Sequence, residues 1–227
     1  MNRKLINWIG LTGIAALISY AVAAYFCRGA FPGYNWMEAA VSDLSAESAP
    51  SRQLWDKLSA VYSTGSVVCA TCVAIYVSDK KISTKLFRVG IYLFTVMNWI
   101  SKIGYAMFAL DDAGKGIESF QKIMHMVITA FVVILSIVSL LLLIIAGYKS
   151  KEVRGVGIWA VIFFAMMLMG PIGMRAFPPQ YFGIAERFSI YSAIGFNAIL
   201  GLYLFNGLKV GNCAFFSFDF WVKELGI

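Results

Sequence analysis

Charge is what this chain has least of: Asp, Glu, Lys and Arg make up 14% of its 227 residues, against 60% hydrophobic residues. A water-soluble domain of this size could not hide that much apolar side chain from solvent, so a bilayer is the natural surrounding. Histidine is scarcer still, a single residue at position 125. Zinc normally takes three or four protein ligands, so one imidazole with scattered carboxylates makes no metal site, and neither a metal nor a cofactor is expected. Met124 and Met126 flank His125 but turn away from its helix face, which argues against copper. The four cysteines, Cys27, Cys69, Cys72 and Cys213, make no disulfide framework. Cys69 and Cys72 have redox spacing, yet they fall inside an apolar run with no basic neighbour to lower a thiol pKa, and are expected to pack as small residues. Internal repeats and low-complexity linkers are also missing, so the chain reads as one polytopic domain over residues 1–227.

What is present is six apolar runs of about the length that crosses a bilayer as helix. They cover approximately residues 6–26, 58–77, 86–110, 123–148, 156–174 and 184–208. The runs are continuous, not alternating, and a helix satisfies its own backbone in lipid, so helices are preferred to a barrel. The predicted fold class is all-α, an integral membrane bundle of six transmembrane helices. Arg3-Lys4, an apolar run and the small residues near Ala23-Ala24 resemble a secretory leader. The segment is read instead as the first span.

Orientation follows the basic residues. With a cytoplasmic N-terminus, the inner side carries Arg3, Lys4, Lys80, Lys81, Lys85, Arg88, Lys149, Lys151, Arg154, Lys209 and Lys223, against only Asp79, Glu152, Asp219 and Glu224. The whole formal charge of +7 then lies inside. Both termini are expected in the cytoplasm, and the basic balance reports topology and anionic inner-leaflet lipid, with no nucleic acid as partner. Residues 209–227 are rich in Phe and are expected to lie on the inner interface.

Two outer connections carry unusual sequence. The longer, residues 28–57, holds Pro32-Gly33-Tyr34-Asn35 and then Val41-Ser42-Asp43-Leu44-Ser45. Connections of that length are functional or disordered, and Trp36, Val41 and Leu44 argue for an ordered cover over the bundle. The other runs from Arg175 through Pro178-Pro179, which should stop a helix, to Glu186-Arg187. Ionisable groups cost energy near hydrocarbon, so they are the first place to look for function. Here they collect toward one end: Lys102 within the third run, with Asn98, Ser101 and Tyr105 at helical spacing; Asp111 and Asp112 after it; and Glu186-Arg187 opening the sixth. Gln121, His125 and Thr129 share a face of the fourth.

The stretches Pro32-Gly33-Tyr34-Asn35, Ser42-Asp43-Leu44, Asp111 or Asp112, His125 and Gly183-Ile-Ala-Glu186-Arg187 together resemble the membrane-protein family called domain of unknown function 998. The resemblance runs over nearly the whole chain. It implies six spans and a prokaryotic cytoplasmic membrane, brings little biochemistry, and gives reason to group the outer polar residues as one site.

The leading expectation is an outward-facing polar pocket that binds, and on an enzymatic reading also modifies, a membrane lipid or other amphiphilic small molecule. His125, Asp111, Asp112 and Glu186 are its candidate proton donors and acceptors. Lys102, Arg187 and Arg175 are candidates to hold an anionic headgroup, with Ser42 and Asp43 covering it. The sequence offers no nucleophile paired with a base. Two alternatives stand beside this reading: a small transporter or proton-coupled carrier, which needs polar residues through the inner half, and a non-enzymatic membrane subunit.

Overall fold

The computed structural model describes residues 3–111 and 119–208. These residues are helical, with no strand among them. In chain order the helices are α1 (Leu5–Ile9), α2 (Thr12–Gly29), α3 (Arg52–Leu58), α4 (Ala60–Asp79), α5 (Lys85–Met107), α6 (Phe120–Lys149), α7 (Arg154–Ala176) and α8 (Phe182–Phe205). The start of α5 is fixed by Thr84, whose hydroxyl accepts the Phe87 amide, and that of α6 by Ser119, which accepts the Lys122 amide. Each cap satisfies a backbone donor that the first turn leaves over. α7 ends at Ala176, just before Pro178-Pro179.

Five helical segments are long and apolar enough to cross a membrane: Leu5–Gly29, Ala60–Asp79, Phe120–Lys149, Lys151–Ala176 and Pro179–Phe205. The chain is a multi-pass helical membrane protein. α5 has the length, 23 residues, but Arg88, Asn98, Ser101 and Lys102 leave it less apolar than the other five.

The bundle is a closed ring. α2 packs on α4, α4 on α5, α5 on α6, α6 on α7, α7 on α8 and α8 back on α2, while α8 also reaches α4 across the middle. α8 is the most enclosed span. Phe196 on it is fully buried and meets Phe94 of α5 edge-on at 5.2 Å and Phe163 of α7 at 5.8 Å. Away from the long loop the helices come closer. A Cβ on Gly201 would stand 2.2 Å from the Gly10 carbonyl oxygen and 2.9 Å from Cys69 Sγ, so only glycine fits, the close approach that small residues permit in lipid. Cys69 is fully buried there, its Sγ 3.6 Å from the Gly10 and Asn197 carbonyl oxygens, which is the packing role expected of it. Arg3 Nε donates to the Phe205 carbonyl, so residues 3 and 205 lie at the same end of the bundle.

Candidate functional site

At the other end the loop of residues 28–57 folds back onto the helices. A turn closes at Tyr34, whose amide donates to the Phe31 carbonyl, and a 3-10 turn spans Ser42–Ser45. Val41, Leu44 and Ala46 are buried, and Val41 and Leu44 pack with Tyr20, Cys27 and Ile194 into a second core. Trp36 departs from expectation. It stays 43% exposed, its ring 5.9 Å from the Arg187 guanidinium.

What holds the loop is the stretch from Gly183 to Arg187 at the start of α8. A Cβ on Gly183 would sit 2.4 Å from the Ala39 carbonyl oxygen and 2.7 Å from that of Trp36, so the missing side chain is what lets the loop backbone lie against the helix. Glu186 Oε2 accepts the Val41 amide at 2.6 Å. Arg187 Nη1 donates to the carbonyls of Ala39 at 3.1 Å and Gly183 at 2.8 Å, and Nη2 donates to the Tyr34 hydroxyl at 2.7 Å. That hydroxyl in turn donates to the Ala40 carbonyl at 2.7 Å. Asp43 closes the circle by accepting the Ala40 amide at 3.1 Å. Burial pushes the Tyr34 hydroxyl up to about 12 despite the neighbouring Arg187, so it remains a proton donor. Gly183 and, one helical turn on, the adjacent Glu186 and Arg187 thus receive the loop as a clasp.

The second group of polar residues sits where α5 leads toward α6. His125 Nδ1 is 2.9 Å from the Phe108 carbonyl oxygen, and its ring lies 4.8 Å from that of Tyr105. Gln121 Nε2 donates to the Ala109 carbonyl at 2.9 Å and to Glu47 Oε1 at 3.2 Å, and Thr129 Oγ1 lies 3.0 Å from the Tyr105 hydroxyl. The shared face of Gln121, His125 and Thr129 therefore looks toward the end of α5 and the loop. Ser119 Oγ donates to Asp111 Oδ2. The loop reaches this group too, because the Glu47 amide donates to the Leu110 carbonyl at 2.8 Å.

The expected residues are thus only partly brought together. Asp43, Glu186 and Arg187 take part in the clasp, Ser42 opens the 3-10 turn beside it, and Asp111 and His125 stand in the second group. The partner of His125 Nδ1 is the Phe108 carbonyl, which the end of α5 leaves over. Asp112 lies outside the described residues, as do residues 209–227 and with them Cys213. Arg175 is exposed at the end of α7. Lys102 is exposed and donates to Ser63 Oγ on α4. It thus parts from Tyr105, which faces α6, and from Asn98, which bonds back to Phe94 of its own helix. The charges acting on Glu186 are those of Arg187 and Asp43.

Between the two groups lies a set of tyrosines of which sequence reasoning noted only Tyr105. Tyr20 stands edge-on to Trp55 at 5.5 Å, to Tyr62 at 4.8 Å and to Tyr191 at 5.8 Å. Glu186 is in electrostatic range of Tyr20, Tyr34 and Tyr105. The available signal was positional: Tyr20, Tyr62, Tyr105 and Tyr191 each fall in the same half of their apolar run, with the polar tip at the depth where Tyr is enriched.

The family described as protein of unknown function (DUF998) matches residues 13–203. The chain belongs to this family. No curated protein and no solved structure matches it. Within this DUF998 chain, the stretches that first suggested the family, from Pro32 to Asn35, from Ser42 to Leu44 and from Gly183 to Arg187, are the parts of the clasp.

Proposed function

We propose that this DUF998 protein spans a prokaryotic cytoplasmic membrane six times, with both termini inside, and holds the polar head of an amphiphile at its outer end beneath the clasped loop. α5 serves as the sixth span. Its exposed residues Val89, Tyr92, Val96, Trp99, Ile103 and Met107 recur at three- and four-residue steps, a stripe suited to lipid. The orientation rests on the basic residues, and the shared end of Arg3 and Phe205 agrees with an even number of spans.

One observation carries the binding reading: the Glu186 carboxylate lies where loop and bundle meet, within electrostatic range of the Tyr20 and Tyr105 hydroxyls. Among the described residues no hydrogen bond to the Tyr20 hydroxyl is formed. A carboxylate and an unused hydroxyl at the edge of hydrocarbon are donors and acceptors awaiting a polar headgroup. His125 and Asp111, in the neighbouring group, are the described residues able to move a proton. The carrier reading gains less. Ser136 and Ser139 donate to the carbonyls of Val132 and Ser136 on their own helix, and Asn197 Nδ2 donates to that of Ser66, so these donors are spent on packing.

The test is photo-crosslinking in native membranes with a phospholipid analogue carrying a diazirine near its headgroup. Adducts are expected on peptides containing Tyr20, Tyr105 or His125, with loss of at least half in Glu186→Gln. Adducts confined to the lipid-facing residues of α6, or unchanged by Glu186→Gln, contradict the reading. For topology, a cysteine placed beside Lys80 or Lys149 should resist labelling from outside intact cells.

A further inference from the structure

Lys102 is the one cation on the exposed stripe of α5 between Val89 and Met107, set between Trp99 and Ile103. It lies about 7 Å along the axis from the end of α5, at the long-loop end. The ion pairs among the described residues are Arg52 with Asp56 and Lys80 with Asp79, so no described carboxylate neutralises Lys102. Its ammonium group donates to the Ser63 hydroxyl across the α4–α5 seam. One turn deeper along α5, Trp99 Nε1 donates to Thr71 Oγ1 of α4 at 3.1 Å, which fixes the indole on the same seam with its ring 45% exposed. An ammonium group has three donors, and one hydroxyl accepts a single bond. A cation on the lipid-facing side with no described carboxylate beside it calls for an anion, and the anion a membrane supplies at its interface is the phosphate of a lipid.

We propose that Lys102 and Ser63 form a headgroup site for an anionic glycerophospholipid on the lipid-facing seam of α4 and α5. The phosphate sits on the ammonium and hydroxyl groups, and an acyl chain lies along Trp99 and Val96. The Lys stem covers apolar surface while its head stays at the interface, as snorkelling lysines do. This site is separate from the Glu186 pocket and stands or falls independently of it, because Lys102 is not among the charges that act on Glu186.

The experiment is native mass spectrometry of the full chain in dodecyl maltoside, titrated with dioleoyl phosphatidylglycerol or dioleoyl phosphatidylcholine. The first phosphatidylglycerol should bind about fivefold tighter than phosphatidylcholine, the gain from one lysine at a charged interface. Lys102→Gln should erase that preference, while Lys102→Arg and the double variant Lys80→Gln, Lys81→Gln should keep it. Because Lys102 is exposed, all these variants are expected to fold, and an unchanged melting temperature checks it. Equal binding of the two lipids to the wild type, a preference that survives Lys102→Gln, or one lost in the Lys80, Lys81 variant overturns the proposal. Displacement of the bound lipid by millimolar inorganic phosphate would also overturn the lipid assignment.

Discussion

Where Gly10 faces Gly201 and Gly147 faces Gly157, helix backbones touch, and a single added methyl group has nowhere to go. At the long-loop end the helices are bridged instead by side chains that bond to loop backbone: Glu186 to Val41, Arg187 to Ala39 and Tyr34, Gln121 to Ala109. The first end is held mainly by shape, with the side chains of Asn7 and Arg3 bonded to the Leu204 and Phe205 carbonyls. The second adds polar bonds to loop backbone to the close packing of Gly104, Gly170 and Gly173.

The largest effect is expected from Gly201→Leu, which drives a side chain into the Gly10 carbonyl. Overpacking of this kind costs about 3 kcal/mol or more, and the thermal transition in detergent should drop sharply. A mild effect would mean that the contact is looser than its distances imply. Arg187→Gln comes next. It removes charge-assisted bonds to two carbonyls and the Tyr34 hydroxyl, a loss of about 2 kcal/mol, and should expose the segment around Ser42-Asp43 to limited proteolysis while the spans stay intact.

The pH response sharpens the same contrast. Tyr34 keeps its proton to about 12 in the folded protein, against an ordinary value of 10. Its contribution is therefore fully present below pH 10 and is lost as the pH rises from 10 toward 12, where the unfolded chain ionises first. Loop protection should fall as the pH rises above 10, and Tyr34→Phe should remove that step. The smallest effect belongs to Asn197→Leu. It deletes one bond to the Ser66 carbonyl together with a buried Oδ1 that has no partner among the described residues, and an interhelical bond in lipid averages about 0.6 kcal/mol.

The same division decides what could be read from the sequence. Spans were legible because apolar runs of fixed length report the bilayer directly, and all six runs lie on helices; α5 alone is ambiguous, since Lys102 and Arg88 dilute it. Glu186, Arg187 and Asp43 were singled out because charge near hydrocarbon is conspicuous. Their partners were not legible: Val41, Ala39 and Ala40 contribute backbone atoms, which no side-chain pattern announces. Gly183 looked like a motif letter and turns out to be a gap left for the loop. Lys102 was grouped with Tyr105 by helical spacing, yet the two side chains turn to opposite neighbours, because i and i+3 positions diverge when each finds its own partner across a different seam.

The claim at the centre is that Glu186 and Arg187 clasp the loop onto the start of α8. Hydrogen–deuterium exchange of the intact protein in nanodiscs, followed on peptides that contain the Val41 amide, tests it most directly. The account predicts slow exchange at Val41 in the wild type, rising at least tenfold in Arg187→Gln while peptides from α4 and α8 remain protected. Fast exchange at Val41 in the wild type, or slow exchange that Arg187→Gln leaves unchanged, would contradict it.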